Sequence, residues 1–506
     1  MYPFAQSGAD LRQEAWILGG AMTSAVERHS AATDSLSVLG SWLARACAVT
    51  VAGIIVVLSP QPAAAVPSYA RQTGQPCATC HNGAFPQLTP FGRQFKLNGY
   101  TAGGTRCRDS ERVEVTVGEP FQIPLSVMLV PTFTHIQKEL SSEPTNRKGE
   151  LNGLKTNDNF MMQDMSVFYG GQIYCHLGAF IQATYDRNDQ AFFLDNTDIR
   201  YANKRNVAGI DVVYGATVNN NPTVEDPWNT SPAWRIPGGG SITSVFAPGP
   251  PTPLIENLGG IVGGGGAYIF ANNMFYALVA DYATLDKRTL QFLGEGPPSI
   301  KFVGPAPYWR LAIEKNWGNY SLMFGTFGMH ANLIPDVTTV SPTDKITDVG
   351  FDAQFQYLND VHFFTGRISQ ISEWERLDGS VFNGTAANLT NHLSEFNISG
   401  TYVYDARYSV TLGYFSTRGS TDLDPLTGAS YFGTFNGSPN TRGEVVDIGY
   451  SPWSRGGPPG YPWINMRLGL QYWHYDKLNG ATTNYDGAGR NAKDDNTTLL
   501  YAWTAF

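Results

Sequence analysis

No stretch of this 506-residue chain approaches the roughly 20 consecutive apolar residues that a membrane-crossing helix needs, which excludes a helical membrane protein. Charge is scarce as well. Asp, Glu, Lys and Arg together make 15% of the chain and the net charge is −9, so no basic surface awaits a nucleic acid. No nucleotide-binding loop, hydrolytic triad or pair of catalytic carboxylates appears at a recognisable spacing. The five cysteines include one Cys-x-x-Cys pair, and neither a second such pair nor a close pair of histidines completes a zinc site.

That one pair is the most informative part of the chain. In Cys77-Ala78-Thr79-Cys80-His81, two thiols three apart are followed at once by an imidazole, the spacing that tethers a c-type haem. The cysteines add to the two vinyl groups, and the next side chain becomes the proximal iron ligand. A thioredoxin-like centre would sit between a strand and a helix. This pair instead follows an export-like segment, in which Arg45 precedes an apolar run from Ala46 to Leu58 and then Ser59-Pro60 and Ala63-Ala64-Ala65. The reading is a secretory signal over residues 1–65 with cleavage near Ala65, set against the plainer alternative of a short buried helix. The stretch before Arg45 is long for a signal, and Met22 offers an alternative start.

Composition separates the rest from a small soluble cytochrome. The chain holds 54 Gly, 25 Tyr, 28 Phe and 11 Trp, with turn-forming clusters between short aromatic or β-branched runs. Sixteen runs follow the haem segment, near 121–137, 159–172, 177–186, 195–203, 209–218, 261–271, 275–285 and 307–317, then 321–332, 347–358, 361–374, 392–404, 408–417, 442–452, 465–477 and 497–506. Short links such as 173–176, 272–273, 318–319, 359–360 and 405–407 alternate with long ones such as 219–260, 287–306 and 478–496. An up-and-down outer-membrane barrel has this asymmetry, with tight periplasmic turns and long outer loops.

Within the runs polarity alternates at period two. Trp309, Leu311 and Ile313 interleave with Arg310, Ala312 and Glu314, while Phe351, Ala353, Phe355 and Tyr357 interleave with Asp352, Gln354 and Gln356. A soluble sandwich also alternates, so the loop rhythm and the export signal carry the membrane reading. An aromatic final residue, Phe506, ends the last run as it commonly does in such barrels. The expected fold is therefore all-β: an up-and-down outer-membrane barrel of about sixteen strands over residues 121–506. A small helical c-type cytochrome segment, residues 66–120, plugs or lines its lumen, because a piece that small needs haem and wall to complete its core. One helix is legible there, with Thr89 as N-cap, Pro90 at the first position, Phe91 and Phe95 on one face, and Gly99 as the stop. Tyr69, Phe85, Phe91, Phe95 and Tyr100 supply rings that suit a porphyrin or a plain small core.

The residues at 67–74, Pro-Ser-Tyr-Ala-Arg-Gln-Thr-Gly, then 77–81, then the run from Phe85 to Tyr100 resemble the N-terminus of the fused monohaem cytochrome–porin family of outer-membrane iron oxidases. The match is specific over about thirty-five residues, and the stretches 220–224 and 226–234 look like the family's long-loop motif. The resemblance implies one covalent haem c on Cys77 and Cys80 with His81 as proximal ligand. It also implies oxidation of extracellular Fe(II) and delivery of the electron to soluble periplasmic cytochromes, from a protein set in the outer membrane of a Gram-negative bacterium. A different extracellular donor or acceptor would use the same conduit.

Further site residues are open. Arg71, Arg93 and Lys96 are candidate partners of haem propionates, or charges spent on water or the barrel wall. For the sixth iron position Met128 leads, since Ser126, Met128, Val130 and Thr132 share the face expected to look inward; His135, Met161, Met162, Met165, His330 and His474 also stand open. Cys107 and Cys175 fall on the same expected side of the membrane, where they form a disulfide or stay unpaired. Asp164, Asp352 and Glu314 are acidic groups suited to guiding Fe(II), without a spacing that makes a site.

Overall fold

The computed structural model describes residues 67–83, 86–101, 123–145, 149–186, 191–234, 250–296, 298, 300–457 and 463–506. The expected export signal, Phe85 and Cys107 lie outside the described residues.

Sixteen long antiparallel strands make one closed sheet. They are β1 Leu125–Ile136, β2 Asn159–Tyr174, β3 Leu177–Asp186, β4 Ala191–Val207, β5 Ile210–Asn219, β6 Val262–Ala271 and β7 Phe275–Thr284, followed, after a two-residue strand β8 at Lys301–Phe302, by β9 Ala306–Trp317. The series continues with β10 Tyr320–Ile334, β11 Asp344–Leu358, β12 His362–Arg376, β13 Thr390–Tyr404, β14 Tyr408–Gly419, β15 Thr441–Tyr450, β16 Asn465–Lys477 and β17 Thr497–Ala505. Each long strand pairs with its neighbours in sequence, and β1 closes the cylinder by pairing with both β2 and β17. All sixteen expected runs are strands. The largest differences are at β4, which begins at Ala191 rather than 195 and runs on to Val207, and at the link 287–306, which holds a helix at Lys287–Phe292 as well as β8.

The alternation resolves into an outside and an inside. Leu311 is 48% exposed and Phe351 60%, whereas Arg310, Glu314, Asp352, Gln354 and Gln356 on the opposite face are buried within the cylinder. An apolar outer surface over a polar inner one is the pattern of a barrel that crosses a bilayer. Among the described residues no helix is long and apolar enough to cross one.

One end of the barrel carries tight turns. In the three-residue β6–β7 turn Asn272 and Asn273 take φ of 56° and 48°, left-handed conformations that Asn tolerates, and the Met274 N–H donates to the Ala271 carbonyl at 3.0 Å. The connection 451–464 breaks this rhythm by being long at the tight-turn end. Three short helices lie inside the cylinder near that end: α1 Pro67–Thr73, α2 Cys77–Cys80 and α3 Pro90–Leu97. In α3 Thr89 caps the helix by accepting from the Gly92 N–H at 3.2 Å, Pro90 starts it, and Gly99 lies beyond its end at φ 67°. Phe95 faces inward, whereas Phe91 is exposed despite sharing the helix face.

From the other end the connection between β5 and β6 folds into the lumen. Its residues 220–234 reach the helical segment, and Trp228, wholly buried, packs on Tyr276 with ring centroids 5.4 Å apart. Cys175 sits in the tight turn between β2 and β3 and is disulfide-bonded.

Candidate functional site

The motif occupies one helical turn. His81 follows α2 in extended conformation (φ −123°, ψ 147°), and its N–H still donates to the Cys77 carbonyl at 2.8 Å, so the imidazole leaves the turn as the thiols end it. Neither Cys77 nor Cys80 is in a disulfide, and both are buried. Asn465 Nδ2 donates to Cys77 Sγ at 2.9 Å, and the Ala78 N–H donates to Ser454 O at 3.2 Å. Ser454 in the long connection at the tight-turn end and Asn465 at the start of β16 thus hold the motif, a role their sequence did not announce.

Two further contacts fix the turn. A side chain at Gly92 would put its Cβ 2.3 Å from the Cys80 carbonyl oxygen, so α3 lies directly against α2 only because that residue is Gly. Asn82 donates to Gln87 Oε1 at 2.6 Å and to Thr365 Oγ1 at 2.7 Å, and Gln87 Nε2 donates to Thr401 Oγ1 at 2.9 Å, which ties the loop after the motif to the wall.

His81 is chemically defined by its surroundings. Its Nδ1 lies 3.1 Å from the Gln87 carbonyl, and a carbonyl only accepts, so Nδ1 carries the proton and Nε2 the lone pair. Burial lowers the imidazolium to about 4, against the opposing Gln87 bond, and the ring is neutral at pH 7. Burial pushes the Cys80 thiol up to about 12, far from a reactive thiolate.

A cavity of about 500 Å³ opens beside this group. Cys80 and His81 line it, with Tyr69, Phe95, Phe168, Phe180, Trp234 and Trp503 as apolar walls and Met128 on β1. Tyr69 meets Phe95 edge-on at 5.0 Å and stacks on Tyr100 at 5.5 Å. A mostly apolar chamber of this size inside a barrel, with a neutral imidazole whose Nε2 bears the lone pair and two adjacent non-disulfide cysteines, fits a covalent haem by its donor set.

Met128 is the sequence-named sixth-position candidate that reaches this chamber; His135, Met161, Met162, Met165, His330 and His474 do not line it. His474 and His135 lie on the outward faces of their strands. Among the acidic groups Asp164 borders the chamber, whereas Glu314 and Asp352 are engaged elsewhere.

The three cations named near the propionates have different fates. Arg71 donates to the carbonyls of Ile123, at 3.1 Å, and Leu125, and stacks 4.2 Å from the Trp463 ring, away from the chamber. Arg93 reaches the opposite wall, at 2.5 Å from Glu314, 2.6 Å from Gln356 Oε1 and 2.8 Å from Ser321 Oγ. Only Lys96 borders the chamber, and it spends its three protons on Val224 O and Asp226 O at 2.7 Å and Asn229 Oδ1 at 2.9 Å. Burial, then the Arg200 guanidinium, pull Lys96 down to about 7 against the attraction of Asp198, Asp226 and Glu225. Arg467, which the sequence reading passed over, also borders the chamber, held by Asp447 at 2.5 Å and donating to Gly83 O at 2.7 Å. Its signal was a charged residue amid alternating apolar ones in β16.

The inward loop is bolted to the far wall. Asp226 pairs with Arg310 at 3.0 Å, Arg310 with Asp352 at 2.8 Å, and the Trp228 indole donates to Glu314 at 2.7 Å. Burial pushes the Asp226 carboxyl up, but Arg310 and Lys96 outweigh it and hold the group down to about 2.

The class these features define is a closed sixteen-stranded antiparallel barrel with a helical segment and an inner chamber in its lumen. No family model matches the chain, and no curated protein matches it. Among solved structures, it is similar to an anion-selective porin from Comamonas acidovorans (11% identity, TM-score 0.40, covering 75% of this chain and 98% of that one). It is also similar to the outer membrane channel DcaP of Acinetobacter baumannii (12%, 0.40, 76% and 96%) and to OmpT of Vibrio cholerae (12%, 0.38, 76% and 96%).

Proposed function

We propose that this protein is an outer-membrane electron conduit that oxidises extracellular Fe(II) to Fe(III) and delivers the electron to a soluble c-type cytochrome in the periplasm, with one haem c held by Cys77, Cys80 and His81. One observation carries the reading: Cys80, His81 and Met128 border a single apolar chamber inside the barrel lumen. The motif's resemblance to fused cytochrome–porins supplies the donor and acceptor. Bound there, the haem supplies a one-electron iron couple.

The chain's own groups do the rest. Cys77 and Cys80 would fix the haem's position covalently, and Gln87, by accepting from His81 Nδ1, leaves Nε2 as the nitrogen that would serve as ligand. Met128, which lines the same chamber, is the residue assigned to hold the group's iron alongside His81. Tyr69, Phe95, Phe168 and Phe180 line the chamber with apolar surface and would exclude water from a group bound there, lowering the dielectric around it. The location follows a transport argument. A bilayer core about 30 Å thick separates an insoluble or excluded donor outside from a periplasmic acceptor, and a carrier inside a barrel is approachable from both mouths.

The test is anaerobic stopped-flow mixing of purified holoprotein in detergent with Fe(II). Reduction of the haem absorbance with one equivalent of Fe(III) formed per haem is the expected result; a haem that stays oxidised removes iron as the donor.

A further inference from the structure

His474, turned away from the chamber, faces a different set of ligands. On β16 the buried Trp473 and Tyr475 point into the lumen, so His474 and Asp476 share the outward face near the strand's long-loop end. Glu444 on β15 lies directly opposite His474 in the ladder. One ligand atom from each of the three, an imidazole nitrogen and two carboxylate oxygens, lies within 4.8 Å of both others. His474 Nε2 is 3.5 Å from Asp476 Oδ1.

We infer that Glu444, His474 and Asp476 form a site for a first-row divalent metal ion on the outer rim of the barrel. Three arguments converge. Cross-strand neighbours and residues two apart on one face are the positions from which side chains in a sheet converge, so the backbone register preorganises the donors. An imidazole with two carboxylates is a mixed borderline and hard donor set, suited to Fe(II), Mn(II) or Zn(II) rather than to Ca(II) or Mg(II), which take oxygen alone. The charge also needs a cation: among the described residues the Lys or Arg that pairs with either carboxylate is Arg442, whose Nε is 3.6 Å from Asp476 Oδ2, beyond good hydrogen-bond distance. The donors are half-exposed, which leaves the remaining coordination positions open to water. The site lies on the opposite face of the wall from the haem chamber and does not depend on the iron-oxidase reading.

Purified full-length holoprotein in detergent, stripped with chelator, is titrated with Mn(II) at room temperature while the six-line electron paramagnetic resonance signal of free Mn(II) is followed. One Mn(II) per chain is expected, displaced by Zn(II) and, without oxygen, by Fe(II). Glu444→Gln, His474→Gln and Asp476→Asn are each expected to weaken binding about tenfold or more, on the scale of lost metal-site groups. Haem content and absorbance unchanged in all three show that the fold is intact. Mn(II) binding that is absent, or equally strong in the triple variant, overturns the site.

Discussion

The two halves of the lumen are built from the same barrel yet treated in opposite ways. Against β9 to β12 the interior holds buried polar contacts: Arg93 pairs with Glu314, Arg310 with Asp226 and Asp352, and Trp228 is wholly buried. Against β1 to β3 and β16 to β17 the interior presents Met128, Phe168, Phe180 and Trp503 to about 500 Å³ of open space. The helix α3 faces both ways, sending Arg93 to the ion-paired wall and Phe95 and Lys96 to the open side. The difference teaches that the space is kept, since a chain able to bolt one side together with buried ion pairs leaves about 500 Å³ open beside Cys80 and His81.

If the open side exists for a tethered haem, Cys77→Ser with Cys80→Ser gives the largest effect. Haem-stained gels and the pyridine haemochrome assay are expected to show complete loss of covalent haem, while the barrel still runs as a heat-modifiable folded band. Haem retained covalently in that variant breaks the comparison. The ion-paired side is probed next by Arg93→Met, which strands Glu314 in the wall without its cation. Removing one partner of a buried pair costs about 3–5 kcal/mol, so faster proteolysis of residues 67–101 is expected with little change in the outer strands. A smaller, spectroscopic effect is expected from Met128→Leu: the Met–iron charge-transfer band disappears while the haem stays covalent, and a band that survives assigns the sixth position elsewhere.

The smallest effect separates the halves by pH. Burial lowers Lys96 from 10.5 in the unfolded chain to about 7 in place. Below about pH 7 it is charged in both states, and the folded state bears the full cost of burying that charge. Between about 7 and 10.5 the unfolded chain binds the extra proton, so stability rises with pH. Hydrogen-exchange protection of α3 is expected to increase across that window, and to increase less in Lys96→Met. An equal rise in both proteins rejects Lys96 as its source.

Much of this was legible beforehand. Strand number, inside and outside faces, the capping of α3 by Thr89 and Pro90, and the inward orientation of Met128 follow from local periodicity and turn chemistry, which short-range sequence encodes. The fates of Arg71, Arg93 and Lys96 were not, because a cation beside the haem motif looks the same whether its partner is a propionate or a Glu more than two hundred residues later. Asn465 and Ser454 were invisible for the same reason: nothing near them in sequence says that a motif almost four hundred residues earlier will lie against them, 388 in the case of Asn465 and Cys77. Phe91 shows the limit within a single helix, since its spacing from Phe95 predicts a shared face but not where the edge of the packed region falls.

The order of residues alone determined that a Cys-x-x-Cys-His turn precedes a sixteen-strand alternating pattern, because both signals are covalent spacings of two, three or four residues. The tertiary structure decided where the open space lies, which charges are spent, and that residues 220–234 enter from the far end to meet α3. Those outcomes depend on closing a sheet whose first and last long strands are hundreds of residues apart, and only that closure brings the distant partners within hydrogen-bond reach.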